Sequence, residues 1–397
     1  MVLKAFKLRL YPNKTQRNQI HVNFGCARFV WNQMLNMHIE RYKNNKKAKF
    51  QGRYSMDVML KALKIEYPWL KQAESTSLQR VNRDLDDAFQ RFFNPDLQNG
   101  FPRFKSKKNT NQSYTSKFVN NNIRIVDEHH IKLPKLGLVY FKAGRILNGK
   151  IRAVTVRVNS RKQYQASILV ESENQTFKKT KKSVGIDLGL KSLTVTSDGQ
   201  KEDILKVDDR LNKQLRIWER KKSRRYENAK KAMAFDEHDK VLFPRTDLKQ
   251  FPRYQQAVRT VAKLKKHIAE RRRDNLHKLT TRLVKDYDTI VVENLSVKNM
   301  MKNHHLSASI ANASWGTLIS QLKYKCAWYG KRLIIIDPKN TSRICHECKQ
   351  KNHEFDSLSQ SEWLAAREWD CPNCHAHLDR DVNAAKNILA KGLETLS

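Results

Sequence analysis

The sequence predicts a multidomain chain in which a small β-barrel, interrupted by a helical insertion, is joined to an α/β domain carrying a cysteine-rich insertion. Three observations predict this. Strand-like alternation at the start of the chain returns after a block of helical periodicity. Farther along, short apolar runs alternate with long basic helices, the pattern of an α/β layer fold with a mixed sheet. Two Cys-x-x-Cys pairs then interrupt that second region just before its last helix. At 397 residues the chain is long enough for two or three domains with proper buried cores.

Taken in order, Phe6, Leu8 and Leu10 alternate with Lys7, Arg9 and Tyr11, the period of a half-buried strand, and Pro12-Asn13 breaks it. From Lys14 the apolar residues Ile20, Phe24, Ala27, Trp31, Met34 and Leu35 recur every three or four positions, predicting a helix. Further helices are expected around Ser55 to Ile65 and Ser75 to Phe93. Asn94 to Lys105 is rich in breakers and reads as an ordered loop; Lys105 to Ser116 reads as a polar, basic linker or nucleic-acid-facing loop. Strand character resumes from Phe118 to Val170, with Asn159 to Gln163 as a hairpin turn before Ala166 to Val170. After the hydrophilic run Asn174 to Lys182, strands are expected at Val184 to Leu188 and Leu193 to Thr196, with Ser197-Asp-Gly199 as a turn. Basic helices follow at Asp208 to Ala232 and Tyr254 to Tyr287. The strands Thr289 to Val292 and Leu333 to Ile336 flank the helix Trp315 to Tyr329, and a last helix opens near Asp379.

Seventy-eight Lys and Arg against 39 acids leave a formal charge of +39, which predicts a polyanionic partner and salt-dependent binding. No apolar stretch approaches the length of a membrane-spanning helix, and the N-terminal alternation is not a signal peptide. A reducing cytoplasmic setting follows as the expectation, in which cysteines favour metal over disulfides. Cys345-x-x-Cys348 and Cys371-x-x-Cys374 are two knuckles whose four thiolates suit one tetrahedral, structural Zn²⁺. Cys26 and Cys326 lie on apolar helical faces and read as packing residues.

Three carboxylates carry the chemical expectation. Asp187 ends the run Ser183-Val-Gly-Ile-Asp-Leu-Gly189, Glu293 ends Thr289-Ile-Val-Val-Glu293, and Asp381 opens a helix. An acid at a strand end is more often a cap or turn residue. Together, in strand–strand–helix order, the three could hold two Mg²⁺ ions over a scissile phosphate, as in a ribonuclease-H-type centre. The glycines flanking Asp187 are expected to let a phosphate approach closely.

Gly185-Ile-Asp-Leu-Gly189, Val291-Val-Glu-Asn-Leu295, the paired knuckles and Asp379-Arg-Asp-Val-Asn-Ala-Ala385 closely resemble the RuvC-type motifs of the transposon-encoded TnpB nucleases, compact relatives of type V CRISPR effectors. The resemblance extends to Leu10-Tyr-Pro-Asn-Lys-Thr-Gln16, Ala27-Arg-Phe-Val-Trp-Asn32, Gly100-Phe-Pro-Arg-Phe-Lys105 and Arg273-Asp-Asn-Leu-His-Lys278, so it spans nearly the whole chain. It implies a multidomain α/β plus β-barrel protein with a RuvC/ribonuclease-H-like nuclease domain. The barrel (wedge) domain would be residues 1–12 and 115–177, and the inserted helical recognition domain 13–114. The nuclease domain would be 178–344 and 376–397, with a zinc-ribbon insertion at 345–375.

The resemblance further implies an RNA-guided DNA endonuclease. A guide RNA from the transposon end would pair with target DNA beside a short adjacent motif, with a monomeric protein in the ribonucleoprotein. Asp187, Glu293 and Asp381 take the catalytic, magnesium-binding roles, with Asp379 the competing choice for the third. Gln79 and Asn120 match motif-reading positions, with Ser75 and Thr76 less specific; Arg103, Lys105 and Arg380 are expected to contact nucleic acid. Ser296 to Ser309 reads as a lid or a surface loop. Competing readings are an RNA-guided repressor without cleavage, a DDE-type transposase and a zinc-containing RNA-binding module. The three acids argue against the first and last, and knuckles placed just before the third carboxylate favour the RuvC arrangement over the transposase.

Overall fold

The structure, a computed structural model of the chain, describes residues 1–397 except 98, 110, 143, 145–146, 160–161, 204–208, 232–247, 249, 303–306, 357–361, 363–365 and 397, and the side chains of 298 and 308. It divides into two compact units, Met1–Glu173 and Asn174–Ser397, each built on its own sheet.

In the first unit β1 (Val2–Tyr11) is the central strand. Its partners lie far along the chain: β2 (Gln112–Lys117), β3 (Arg124–Ile125), β4 (His130–Leu133), β5 (Gly137–Lys142), β6 (Lys150–Val158) and β7 (Tyr164–Ser172). The order is β2-β6-β7-β1-β5-β4-β3, and every pairing is antiparallel. Among the described residues no ladder joins β2 to β3, so by its hydrogen bonds the expected barrel is an open seven-stranded sheet. Three helices come between β1 and β2, as expected: α1 (Lys14–Asn44), α2 (Arg53–Glu66) and α3 (Ser75–Phe93). All six apolar positions that predicted α1 are buried in one core with the sheet. Its start is chemical: the Asn13 side chain accepts from Gln16 N while Gln16 Oε1 accepts from Asn13 N, a reciprocal cap where Pro12 ends the strand.

One element departs from expectation. Gln112–Lys117, placed in a linker, is an edge strand paired along its whole length with β6. Tyr114 is its only apolar residue, so hydropathy could not reveal it. Pairing decides it, with the Tyr114 ring buried against Phe24 and Thr115 bonded to Thr155 at 2.9 Å.

The second unit is a five-stranded sheet of order β10-β9-β8-β11-β12, with β8 (Ser183–Asp187), β9 (Ser192–Thr196), β10 (Lys201–Asp203), β11 (Thr289–Glu293) and β12 (Arg332–Ile336). β10, β9 and β8 are antiparallel; β8, β11 and β12 are parallel, so the mixed sheet is as expected. Helices α4 (Asp209–Lys231) and α5 (Pro252–Asp286) precede β11, and α6 (Val297–Met300), α7 (Ser307–Ala313) and α8 (Trp315–Tyr329) follow it. The short hairpin β13 (Glu368–Asp370) and β14 (His377–Asp379) leads into α9 (Arg380–Glu394). The expected helix ends Asp208 and Ala232, and parts of the 159–163 turn and the 296–309 segment, lie outside the described residues.

Both faces of this sheet are covered, which is why its strands are almost continuously apolar. Ile290 and Val292 face Leu279 and Leu283 of α5 and Leu318 and Leu322 of α8; Val291 points the other way, to Ile388 of α9. Residues 174–177, expected in the barrel domain, belong here: Phe177 stacks on Tyr329 with centroids 4.1 Å apart and donates its backbone N–H to the Tyr329 carbonyl.

Candidate active site

Register brings the first two acids together. Ile186 of β8 stands opposite Val292 of β11, so Asp187 and Glu293, next on each parallel strand, share one end of the sheet. Helix α9 supplies the third. It lies against the strands through missing side chains: a Cβ on Gly185 would meet the Ala385 carbonyl oxygen at 2.1 Å, and one on Gly392 would meet Val291 Cγ1 at 2.4 Å. A Cβ on Gly189 would meet the Ser192 carbonyl oxygen at 2.8 Å. Gly185 thus serves the close approach of a helix and Gly189 that of a turn, because contact with backbone leaves no space for any side chain.

Electrostatics show Asp187 feeling the charges of the other two acids. Burial, then the charges of Glu293 and Asp381, push the Asp187 carboxyl up to about 7, against a smaller opposing pull from Arg380. Glu293 is buried and its carboxyl is also raised, first by desolvation, while a hydrogen bond from Thr341 and the charge of Lys391 oppose the rise. Asp381 accepts from Arg380 Nη2 at 3.0 Å and Arg367 Nη1 at 3.4 Å. Asp379 has another job. Its Oδ1 accepts from the backbone N–H groups of Asp381 and Val382, capping α9, and its Oδ2 pairs with Lys201 at 2.6 Å. Among the described residues the carboxylate oxygens do not form a group within 4.8 Å of one another, whereas the four knuckle sulfurs do. Mutual repulsion at the carboxylates is what a divalent cation would relieve, and oxygen donors suit Mg²⁺.

Each knuckle is a tight turn closed by its own backbone. Lys349 N–H donates to the Cys345 carbonyl at 3.0 Å and His375 N–H to the Cys371 carbonyl at 2.8 Å, with both residues left-handed at φ 62° and 57°. Cys345 Sγ lies 3.7 Å from Cys374 Sγ, and Cys348 Sγ 3.6 Å from Cys371 Sγ. Zinc–sulfur bonds of about 2.3 Å in a tetrahedron set sulfurs about 3.8 Å apart, so the cluster has the dimensions of a zinc site. His346 is turned away: its Nδ1 meets Asn383 Oδ1 at 3.0 Å and its Nε2 meets Lys386 Nζ at 2.8 Å.

Residues that the sequence reading passed over tie these parts together. Thr341 Oγ1 donates to Glu293 Oε1 at 2.5 Å, with both residues buried. Asn387 on α9 donates to the Thr341 and Ile344 carbonyls, and Asn383 donates to Ile344 while accepting from His346 N–H. Asn383 had a signal in the Asp-x-Asn-Ala-Ala run. Thr341 had none, because nothing local to it announces a partner 48 positions away.

Comparison with known proteins bears on the whole chain. A protein of Streptomyces pristinaespiralis, provisionally named an RNA-guided DNA endonuclease, is 33% identical over 99% of this chain and 90% of its own length. InsQ of Escherichia coli, named in the same provisional way, is 30% identical over 100% of this chain and 94% of its own. TnpB-like proteins of Acanthamoeba polyphaga mimivirus are 24% identical over 54% of this chain and 38% of their own length. The chain belongs to the TnpB family.

Family models divide it further. Residues 167–304 match one described as "Probable transposase" (OrfB_IS605), and residues 315–388 match "Cas12f1-like, TNB domain". Residues 1–47 match "Helix-turn-helix domain", although here that segment is β1 followed by the single long α1. A cryo-EM structure of a Cas12f1-sgRNA-target DNA complex aligns over 98% of both chains with a TM-score of 0.58 at 13% identity, a likeness of fold.

The TnpB signatures turn out to be clamps. Trp31 Nε1 donates to the Arg103 carbonyl, Asn32 exchanges two bonds with the Lys105 backbone, and Lys105 Nζ sits 3.5 Å above the Trp31 ring. Burial lowers the Lys105 ammonium to about 8. Lys105 is engaged by Trp31 although it is an exposed residue overall, as are Arg103, Gln79 and Asn120. Asn120 sits in a left-handed turn at φ 47°. Thr76 is held by its helix cap, bonding Glu74, and accepts from Lys117 N–H. Arg380 is buried against Asp381.

Proposed function

We propose that this protein is an RNA-guided DNA endonuclease. It would bind a guide RNA from a transposon end, pair it with target DNA beside a short motif, and hydrolyse the DNA with two Mg²⁺ ions. The observation that carries the reading is the meeting of Asp187, Glu293 and Asp381 from β8, β11 and α9, close enough that the other two charges help push Asp187 up to about 7. The names of the two full-length relatives support it.

On this reading the β10-β9-β8-β11-β12 sheet is the RuvC/ribonuclease-H-like domain, with a zinc ribbon held by Cys345, Cys348, Cys371 and Cys374. We keep the expected division into barrel, helical insertion, nuclease domain and zinc ribbon as the proposal, moving only the start of the nuclease domain to Asn174. Bound at the three carboxylates, Mg²⁺ would supply an activated water and charge stabilisation for the leaving oxygen. Asp187 at the end of β8, Glu293 at the end of β11 and Asp381 on α9 would hold the ions. Thr341 holds Glu293 in orientation, and Arg380 holds Asp381 in place. The water would lose a proton to solvent as its oxygen bonds to phosphorus, the P–O3′ bond would open, and the departing O3′ would take up a proton, leaving a 5′-phosphate and a 3′-hydroxyl. Gln79, Asn120 and Arg103 are assigned to nucleic-acid contact on the first unit. Lys105 on the first unit and Arg380 on the second are assigned supporting roles in nucleic-acid contact, since Trp31 and Asp381 engage them.

The description "Probable transposase" favours strand transfer as a second reading. One experiment separates them. The protein is co-expressed with its flanking RNA and the complex is given a plasmid library carrying a guide-matched target beside randomised bases, with Mg²⁺. Guided hydrolysis predicts linear product from wild type, none from Asp187→Ala, and equal RNA retention by both. Joined strands would favour the transposase, and cutting by Asp187→Ala would remove the site assignment.

A further inference from the structure

The far end of the α1–α3 helical block holds a cavity of about 770 Å³ that none of these roles uses. Its walls are rings from four segments: His38 and Tyr42 at the end of α1, Phe50 before α2, Phe89 and Phe93 at the end of α3, and Phe101 in the following loop. His38 stacks on Phe50 at 4.9 Å and Phe93 on Phe89 at 5.9 Å, while Phe101 stands edge-on to Phe89 at 5.5 Å. The cavity is open: Phe93 is 52% exposed, Phe101 44% and Tyr42 60%. Concave, solvent-facing aromatic surface of this kind marks a binding site. Its rim is cationic, with Arg41, Lys43 and Lys49, and no acid is among the lining residues, although Glu40 shares Lys43.

Flat π faces inside a positive rim fit one chemistry, an aromatic ring borne on an anionic backbone. A lipid or apolar peptide would use the rings and leave the rim unanswered; a DNA duplex would use the rim but keeps its bases stacked inside. Unpaired bases satisfy both, and in RNA loops and ends they are the usual targets of aromatic stacking. We propose that this cavity is a stacking site for unpaired bases of RNA. That RNA is the resident partner rests on the proposed function; the ring geometry and charge do not.

The test uses the full-length chain at raised salt, with cleavage left out. Affinity is measured for a labelled single-stranded RNA dodecamer and for an abasic ribose-phosphate oligomer of equal length. Wild type should bind the base-bearing oligomer about tenfold more tightly, Phe93→Ala should lose about tenfold on it alone, and Phe93→Trp should retain it. Equal affinity of wild type for both oligomers, or a Phe93→Ala loss shared by both or absent, overturns the site. Should Phe93→Ala alter thermal unfolding, Tyr42→Ala decides by the same criteria. Tighter binding of single-stranded DNA than of RNA overturns the choice of RNA. Because no arm reads cleavage, failure here leaves the nuclease reading standing, and failure of that reading leaves this result intact.

Discussion

Thr341 shows how a single hydroxyl links two parts of the site. Its bond to Glu293 is made to a charged, buried acceptor, the kind that contributes about 1.5–3 kcal/mol. Thr341→Val should therefore lower single-turnover cleavage about tenfold or more, with RNA binding and zinc content unchanged and Thr341→Ser near wild type. Asp288 gives a residue-scale dependence on pH. A bond from Lys331 leads its causes, with the Thr180 and Lys181 N–H groups, and together they hold its carboxyl well below the ordinary value. A carboxylate depressed in the folded state stabilises above its unfolded value and loses that contribution as pH falls through the folded one. Melting temperature should thus drop below about pH 4 more steeply in wild type than in Asp288→Asn, which should already be less stable at pH 7.

At the scale of elements, α9 matters most, since it carries Asp381, ties down the first knuckle and packs through Gly185 and Gly392. Gly185→Ala would drive a methyl into the Ala385 carbonyl, and backbone cannot yield as a side-chain tip can. The expected cost is about 1–3 kcal/mol, read by chemical denaturation, together with loss of cleavage. Gly392→Ala meets only the Val291 side chain and should be milder on both measures. The cysteine cluster is the second such element. One zinc per chain should be found by metal analysis. Its removal by chelation should loosen residues 341–356 and 366–379 in hydrogen exchange and reduce cleavage through the Asn383, Asn387 and Thr341 contacts.

At the scale of the whole molecule, charge governs affinity. With +39 spread over both units, binding to RNA or DNA should be dominated by released counterions. Raising salt from roughly 50 to 200 mM should weaken it by about 10³–10⁵ if six to ten phosphates are neutralised. A flat salt response would mean that these cations serve something other than a polyanion. Among the described residues no helix is long and apolar enough to cross a membrane.

Local patterns settled a good deal. The period of α1, the Pro12-Asn13 break before it, the apolar runs of β8 and β11 and the spacing of the cysteines are all short-range signals, and each element formed within a residue or so of where it was expected. Periodicity and turn chemistry act within a few residues, so they survive in one dimension. β2 did not show itself, because a strand with one apolar residue exists only through its partner. The packing role of Gly185 was hidden for a like reason: the carbonyl that a Cβ there would meet at 2.1 Å belongs to Ala385, far downstream. Residue types alone named Asp187, Glu293 and Asp381. That a parallel register and a glycine-seated helix bring the charges of Glu293 and Asp381 to bear on Asp187 was decided by tertiary packing, since field and contact depend on distance in space and not along the chain.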